Sequence, residues 1–377
     1  MNNIYYSPGT LILYIIVAYA AAYLIYLSKR GHKYVKISPR DIPLYILLLL
    51  LSIFASIRMV GPGGLGGIDA DGYEATFKYA FAYSNRFLFQ DVLFGYYNKL
   101  IRLFTDNVYV YRLISYTIIS YGYVAFIKYV CPNNVSSLPF ITLMIPYLKS
   151  FNTMRSSIAI AVFLIGLTLL YRKKDLWAII LILSTMFIHR MSVIYVMFLP
   201  FYYIFGKIWN RKNARKIIIS SVLLAFIFVL GAYSLRSHIL TSSLLDTTDT
   251  YYLKRVSGLS ANIMIVPTIL LVIVWFINVP NIDGKKTDKI RFLEILVAFD
   301  CIMIPVAEVL GMWRASEYMY LPRLCLWGVL VLSIAQRYVR SSRPVVYMFF
   351  FFGFSAWLVY RIMREWEVCG LMPYLVA

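Results

Sequence analysis

Charged residues are scarce in this sequence, since Asp, Glu, Lys and Arg together make up 14% of its 377 residues. Soluble domains carry about 25% charged residues, and only about half of their residues are apolar. Here 61% of the residues are hydrophobic and the mean hydropathy is +0.72. This composition excludes a soluble globular protein and indicates a polytopic membrane protein of the all-α class.

Cysteine and histidine are also scarce. The three histidines lie far apart, and Asp69-Ala70-Asp71 is too short a motif for a divalent-cation site. We therefore expect no metal and no cofactor. The four cysteines resemble small apolar residues rather than a disulfide or metal framework. They are scattered at Cys131, Cys301, Cys325 and Cys369.

Long apolar stretches occupy most of the chain. A helix needs roughly 20 apolar residues to cross the hydrocarbon core, which predicts about 12 transmembrane helices, with a range of about 10 to 12. The first stretch has no cleavable signal pattern. Little length remains for a soluble domain, so we expect residues 1–377 to form a single integral membrane domain. The predicted spans are residues 9–27, 42–60, 107–129, 135–149, 154–171, 175–188, 191–206, 216–235, 261–279, 290–311, 316–336 and 344–362.

The positions of Lys and Arg orient these spans, because basic residues favour short cytoplasmic loops. More than half of the 37 Lys and Arg residues fall in alternate connections. Both termini are therefore expected outside. The span 135–149 is short and contains Pro139 and Pro146, but without it the basic turn 172–174 would be exported. The basic connections are residues 29–40, 128, 172–174, 207–216, 285–291 and 337–343.

Two external segments are long. Residues 61–106 begin with a glycine-rich turn and continue into an amphipathic helix that we expect to lie on the outer leaflet. Residues 236–260 form a second, polar loop. The apolar face of the amphipathic helix contains Phe89, Val92, Leu93, Tyr96, Leu100 and Phe104, and its opposite face contains Asp91, Asn98, Lys99 and Arg102.

Several arginines lie at outer span ends, where an Arg in hydrocarbon costs about 2.5–3.5 kcal/mol unless it faces a polar cavity or a partner. Arg361 and Arg364 are expected to snorkel as interface anchors. Arginine suits diphosphate, because its planar fork forms paired hydrogen bonds and keeps its charge. Snorkelling or structural pairing, such as Arg314 with Glu317, is the alternative. The predicted diphosphate-binding set is Arg155, Arg190, Arg314 and Arg323.

Acidic residues and a histidine near the same outer face are candidates for a general base. Asp69 and Asp71 lie in the glycine-rich loop and could deprotonate a hydroxyl, or could instead cap a turn or helix start. His189 has a suitable reference pKa, although a histidine at a span end is more often a hydrogen-bonded core residue. Asp300 lies in mid-span, where we expect a neutral or paired carboxyl that braces the bundle.

At these positions the chain resembles the EpsG/Wzy-like polysaccharide polymerases of bacterial inner membranes. Gly67–Tyr73 (GIDADGY) is similar to the family's G-x-D-x-x-x-Y loop, with Arg58 before it. Met154–Ala159 (MRSSIA) resembles the family's R-x-x-[IL]-A helix start. His189–Ser192 (HRMS) resembles its H-x-S or H-x-x-S segment. Where the family often has Glu-x-Gly-aromatic, this chain has Leu93–Tyr96 (LFGY).

The resemblance implies a GT-C-like or related polymerase or ligase bundle with a periplasmic active site. Such enzymes transfer a growing glycan from undecaprenyl diphosphate to the non-reducing sugar of a new lipid-linked unit, here without metal. The implied partners are undecaprenyl-diphosphate-linked glycans, the bilayer, a chain-length regulator and a flippase, but no nucleic acid. The expected roles are Asp69, Asp71 and His189 in catalysis, Arg155, Arg190, Arg314 and Arg323 on the diphosphates, and Arg58, Tyr73 and Glu317 in support.

Three other functions compete with this reading. An O-antigen ligase uses the same donor with a lipid A-core acceptor. A flippase should carry cations along a path through both leaflets, usually with internal repeats, whereas here the charges are expected at one face and no repeat is visible. A membrane acyltransferase would place its His and Arg towards an acyl donor, usually from the cytoplasmic side.

Overall fold

The computed structural model describes residues 5–30, 41–82, 91–208, 214–241, 266–283, 288–309 and 317–376. All named elements in these ranges are helical, which confirms the all-α prediction. The α-helices are α1 (Pro8–Arg30), α2 (Ile42–Ser56), α3 (Ala70–Lys78), α4 (Val92–Arg102), α5 (Val108–Tyr129), α6 (Met144–Lys149), α7 (Met154–Tyr171), α8 (Asp175–Ile188), α9 (Val193–Val196), α10 (Phe198–Ile208), α11 (Ala214–Thr241), α12 (Val266–Asp283), α13 (Asp288–Val309), α14 (Tyr320–Arg337) and α15 (Arg343–Cys369). Short 3₁₀ helices cover Leu138–Leu143 and Arg190–Ser192.

The long apolar helices indicate a membrane protein. Within the described ranges, four helices are long and apolar enough to cross a bilayer, namely α1, α5, α7 and α15. Six apolar helical stretches are shorter. Each predicted span overlaps at least one helix, and the doubtful span 135–149 is a 3₁₀ helix that continues into α6. The number of helices that cross the membrane stays a prediction.

The chain divides into two compact units. Unit 1 comprises Met1–Arg190 and Ile334–Ala377, and unit 2 comprises Met191–Ser333. In unit 1, α7 packs between α5 and α8, while α2 packs on α5. Small residues allow this close approach, because a Cβ added at Gly122 of α5 would lie 2.6 Å from the Cα of Ala161 on α7. In unit 2, α13 packs on α11 and α10.

The amphipathic helix predicted in the first external segment is α4. Leu93, Tyr96, Leu100 and Phe104 of its apolar face are exposed on the protein surface, whereas Asn98 of the opposite face is buried. The helix therefore packs on protein through Asn98, Phe94 and Ile101, whereas the four exposed apolar side chains point away from it. The location of α4 at a membrane interface stays a prediction.

Several sequence predictions lie wholly or partly outside the described residues. Phe89 of the amphipathic helix and Arg314 of the arginine set are among them. The second external segment, residues 236–260, is described only as far as Thr241, and those first residues continue the helix α11.

Candidate functional site

The link between α6 and α7 collects polar partners from much of unit 1. We call residues 149–155 (KSFNTMR) the connector. It is buried apart from Arg155, which is half-buried. Its backbone turns tightly, because the N–H groups of Asn152 and Thr153 both donate to the carbonyl of Lys149 at 3.0 Å. A buried turn of this kind needs partners for its remaining polar groups.

Arg58, at the end of α2, supplies several of those partners. Its side chain is 2% exposed, and its guanidinium lies 4.3 Å from the ring centroid of Phe151 in the connector. Nη2 donates to the hydroxyl of Tyr116 at 2.9 Å and to the carbonyl of Phe151 at 3.4 Å. Nε donates to the carbonyl of Gly66 at 2.8 Å. Arg58 therefore holds the glycine-rich loop against the connector.

The glycines of this loop are required by close backbone contacts. Gly66 and Gly67 have φ of +75° and +128°, a backbone region that residues other than glycine rarely adopt. A Cβ on Gly66 would lie 2.1 Å from the carbonyl oxygen of Met59, and one on Gly67 would lie 2.4 Å from that of Phe151. The glycine spacing read from the sequence thus reflects a loop pressed onto the connector.

Asp69 and Asp71, the predicted bases, lie where this loop enters α3. Both residues are exposed. The backbone N–H of Asp69 donates to Oδ1 of Asn152 in the connector at 2.7 Å, whereas its carboxylate makes no capping bond to α3. Oδ1 of Asp71 accepts from the N–H of Gly72 at 2.8 Å. Two exposed carboxylates thus lie on a loop that bonds to the connector through the backbone of Asp69.

Tyr73 is half-buried on α3, and its ring meets Phe94 of α4 edge-on with centroids 5.9 Å apart. It therefore joins the two short helices of the first external segment. This placement agrees with a supporting position, and its role in the reaction stays a prediction.

Glu74 and Arg112 form an ion pair beside Arg58 that sequence reasoning did not identify. Nε of Arg112 lies 3.3 Å from Oε1 of Glu74, and Nη1 of Arg112 donates to the carbonyl of Arg58. Burial raises the pKa of Glu74 above its usual range, and the positive charge of Arg112 opposes that increase. The available signal was an arginine placed inside a predicted span.

Asp91 is a further residue whose ion pair the sequence analysis did not predict. It was expected only on the polar face of the amphipathic helix, yet it is 6% exposed and meets α7 and α8. Its Oδ2 lies 2.7 Å from Nη1 of Arg155, and its Oδ1 accepts the backbone N–H of Arg190 at 2.8 Å. Burial raises the pKa of Asp91, while Arg155 and the Arg190 N–H oppose the increase. The structure thus brings together Arg155 and Arg190 of the predicted set.

His189 ends α8 immediately before Arg190. Its side chain is buried, with the residue 4% exposed, and its backbone N–H donates to the backbone carbonyl of Thr185 at 2.9 Å. Arg190 is half-buried. His189 and Arg190 therefore follow the C-terminal end of α8, where the carboxylate of Asp91 accepts the backbone N–H of Arg190.

A third buried ion cluster reaches the connector from α15. Glu365 lies 3.3 Å from Nζ of Lys149 and also pairs with Arg361, one turn earlier on its helix. Arg361 is 4% exposed, so the expectation that it anchors the protein at the interface is wrong. Glu365, four residues later, pairs with the charge of Arg361 inside the protein, so the guanidinium does not need to reach the membrane–water interface.

The remaining predicted site residues belong to unit 2. Arg323 is 7% exposed and pairs with Asp300, whose Oδ2 lies 3.1 Å from Nε. Nη1 of Arg323 donates to Thr268, and the hydroxyl of Tyr195 donates to Asp300 at 3.1 Å. Asp300 is fully buried and paired, which confirms that expectation. Glu317 is also buried.

The described residues contain no group of three or more His, Cys, Asp or Glu side chains placed to hold a metal ion. The charged groups around the connector are instead arginines, a lysine and carboxylates. The buried members are Arg58, Arg112, Lys149, Arg361 and Asp91, and the half-buried members are Glu74, Glu365 and Arg155.

The family comparison agrees with the sequence motifs. The model of the EpsG family matches residues 41–376, so the chain belongs to this family of Wzy-like polysaccharide-polymerase-type membrane proteins. No curated protein and no solved structure matches the chain. Membership indicates a polysaccharide-polymerase-like, glycosyltransferase-type function.

Proposed function

We propose that this member of the EpsG family polymerises a lipid-linked glycan at the periplasmic face of a bacterial inner membrane. The donor is a growing glycan on undecaprenyl diphosphate, and the acceptor is the non-reducing sugar of a new undecaprenyl-diphosphate-linked repeat unit. One observation carries the proposal. The connector joins Arg155, a half-buried cation, to a loop that presents Asp69 and Asp71 as exposed carboxylates.

The reaction needs a base and a stabilised leaving group. The acceptor hydroxyl gives its proton to a carboxylate, and its oxygen bonds to the anomeric carbon of the donor. The bond from that carbon to the diphosphate oxygen breaks, and its electron pair leaves with the lipid diphosphate. Asp69 or Asp71 takes the proton, because both are accessible and their loop is fixed. His189 orients the hydroxyl or replaces the carboxylate.

The leaving diphosphate needs positive charge that is already in place, which is often the largest single contribution to such catalysis. Arg155, Arg190, Arg314 and Arg323 are assigned to the diphosphates of the lipid-linked substrates. Arg155 is the strongest of these assignments, because 27% of its side chain is exposed. Only 3% of the side chain of its partner Asp91 is exposed. Such a guanidinium can take a phosphate on its open side.

The test is a reconstituted reaction. The purified protein, in nanodiscs with EDTA, is given a defined undecaprenyl-diphosphate-linked repeat unit, and products are separated by length. We expect a ladder of longer lipid-linked glycans. Transfer only to added lipid A-core would show a ligase, and translocation of the unit without a ladder would show a flippase. Either result would contradict the proposal.

The base is tested in the same assay with Asp69→Asn, Asp71→Asn and His189→Gln. One aspartate variant should lose about 100- to 10,000-fold in turnover, the usual contribution of a positioned base. Because both aspartates are exposed, its thermal stability should equal that of the wild type. Asp175→Asn is the matched control, since Asp175 is an exposed aspartate in the first turn of α8. Full activity in both aspartate variants would remove these residues from the mechanism.

A further inference from the structure

Asp91 has an unusual backbone as well as a buried side chain. Its φ and ψ are 59° and 45°, the left-handed region, and only one other non-glycine residue in the described ranges, Lys173, has positive φ. Asn and Asp tolerate this region better than most residues, but it is still uncommon. Backbone strain of this kind persists where the surroundings impose it, and functional sites are a frequent location.

The two carboxylate oxygens of Asp91 serve two different segments. Oδ2 pairs with Arg155 at the start of α7, and Oδ1 accepts the N–H of Arg190 just beyond the end of α8. The helices α7 and α8 pack along each other, and α4 contacts α8. A single side chain on the first external segment therefore holds the guanidinium of Arg155 and the backbone of Arg190, two of the four arginines that the proposed function assigns to diphosphate.

The geometry of the pair is one-sided. The side chain of Asp91 is 3% exposed, against 27% for that of Arg155. The carboxylate is thus enclosed, whereas part of the Arg155 side chain stays accessible. Nε of Arg155 is buried and, among the described residues, has no hydrogen-bond partner. In the Arg323–Asp300 pair, by contrast, both side chains are enclosed, with exposures of 8% and 0%.

We infer that Asp91 is a positioning residue that orients Arg155 and the Arg190 turn towards the lipid diphosphate and competes, as an internal anion, with that diphosphate for Arg155. This inference rests on the proposed function. It predicts two opposite effects when the charge of Asp91 is removed. Turnover should fall because the guanidinium is no longer oriented, whereas affinity for a diphosphate should rise because the competing carboxylate is gone.

The decisive variant is Asp91→Asn. Asparagine keeps the size of the side chain, can accept the Arg190 N–H and tolerates left-handed backbone, so only the charge is lost. We expect turnover in the ladder assay to fall about 100-fold, the scale of a misplaced reacting group, with an unchanged or lower KM for the lipid-linked donor. Asp106→Asn is the control, because Asp106 pairs with Arg102 at the surface and should change neither value.

A second measurement does not depend on activity. Inorganic pyrophosphate is titrated onto each variant in detergent, and its Kd is taken from the shift in thermal unfolding. Asp91→Asn should bind pyrophosphate several-fold more tightly than the wild type, and Arg155→Gln should bind it several-fold more weakly. A structural ion pair would give both variants the same direction of change.

The outcomes separate the two proposals. If the wild type forms no ladder but the two variants shift pyrophosphate binding in opposite directions, the polymerase proposal fails and the positioning of Arg155 by Asp91 stands. If Asp91→Asn binds pyrophosphate more weakly or equally, or does not fold, the inference is wrong even when the wild type polymerises.

Discussion

Two arginine–aspartate pairs, one in each unit, show how differently the same residue types can be used. Arg323 and Asp300 in unit 2 are both enclosed, and Arg323 has additional bonds to Thr268 and to the carbonyl of Met319. Arg155 in unit 1 is held by Asp91 on one side only and is partly exposed. Both arginines were predicted from the sequence to bind diphosphate, because each lies near the outer end of a predicted span. The pair in unit 1 has the form of a binding group, and the pair in unit 2 has the form of a brace.

The largest expected effect is on turnover. Arg155→Ala should lower turnover in the ladder assay about 100- to 1,000-fold, the loss seen when one donor to a developing negative charge is removed. Arg172→Ala is the matched control, because Arg172 follows the last residue of the same helix, is exposed and lies at its opposite end. Equal losses in the two variants would show that the effect comes from α7 as a whole.

The brace in unit 2 should show its effect in stability. Arg323→Ala leaves the fully buried carboxylate of Asp300 without its cation, which should cost about 3–5 kcal/mol of unfolding free energy. The double replacement Arg323→Met with Asp300→Leu should recover most of that stability. We expect the turnover of this double variant to remain at least about 10-fold below that of the wild type, because the guanidinium of Arg323 is still missing. Recovered turnover would show that Arg323 is only a brace.

The pH dependence should be smaller and should belong to unit 1. Burial raises the pKa of Asp91, so between its usual value and the raised one the folded protein keeps a proton that the unfolded chain has lost. Stability should therefore fall as pH rises through this window, while activity rises because the charged form orients Arg155. The charged groups that face Asp91 are Arg155 and Arg190.

The measurement for this prediction is a pair of profiles, thermal midpoint and turnover against pH, for the wild type and Asp91→Asn. Both wild-type slopes should flatten in the variant across the same window. Parallel profiles in the two proteins would assign the pH dependence to another group.

An exposed ion pair gives the smallest effect. Arg102 and Asp106 are four residues apart, with side-chain exposures of 24% and 81%. Solvent screens such pairs, so Asp106→Asn should change the unfolding free energy by less than about 0.5 kcal/mol. A larger change would mean that exposure is a poor guide to the difference between the other two pairs.

Local patterns predicted the helices well, because apolar length and helical periodicity are properties of neighbouring residues. The amphipathic helix α4 is an example, since Leu93, Tyr96 and Leu100 are exposed together and Asn98 is buried. Each predicted span overlaps a helix in the described residues, whereas the number of helices that cross the bilayer stays a prediction. Proline in the segment 135–149 gave a 3₁₀ helix followed by α6.

Pairing between distant segments was not predictable in the same way. Asp91 and Arg155 are far apart in the chain, and their contact depends on a left-handed residue before α4 that no periodicity reports. Arg361 was misassigned because its partner Glu365 and the approach of Lys149 are visible only after folding. Asp300 was interpreted correctly, because a carboxylate in mid-span has few alternatives to pairing.

The glycine-rich loop has a consequence for the products of the reaction. Gly66 and Gly67 press the loop against backbone that Arg58 also holds, so the loop has little freedom to adjust to what it binds. In the proposed reaction, we expect this loop to contact only the terminal sugars and the diphosphate of each substrate. We expect every round of addition by the isolated protein to proceed with the same probability, whatever the length already reached. The resulting lengths should follow a single decaying exponential, and a narrow modal length would have to be imposed by a separate component.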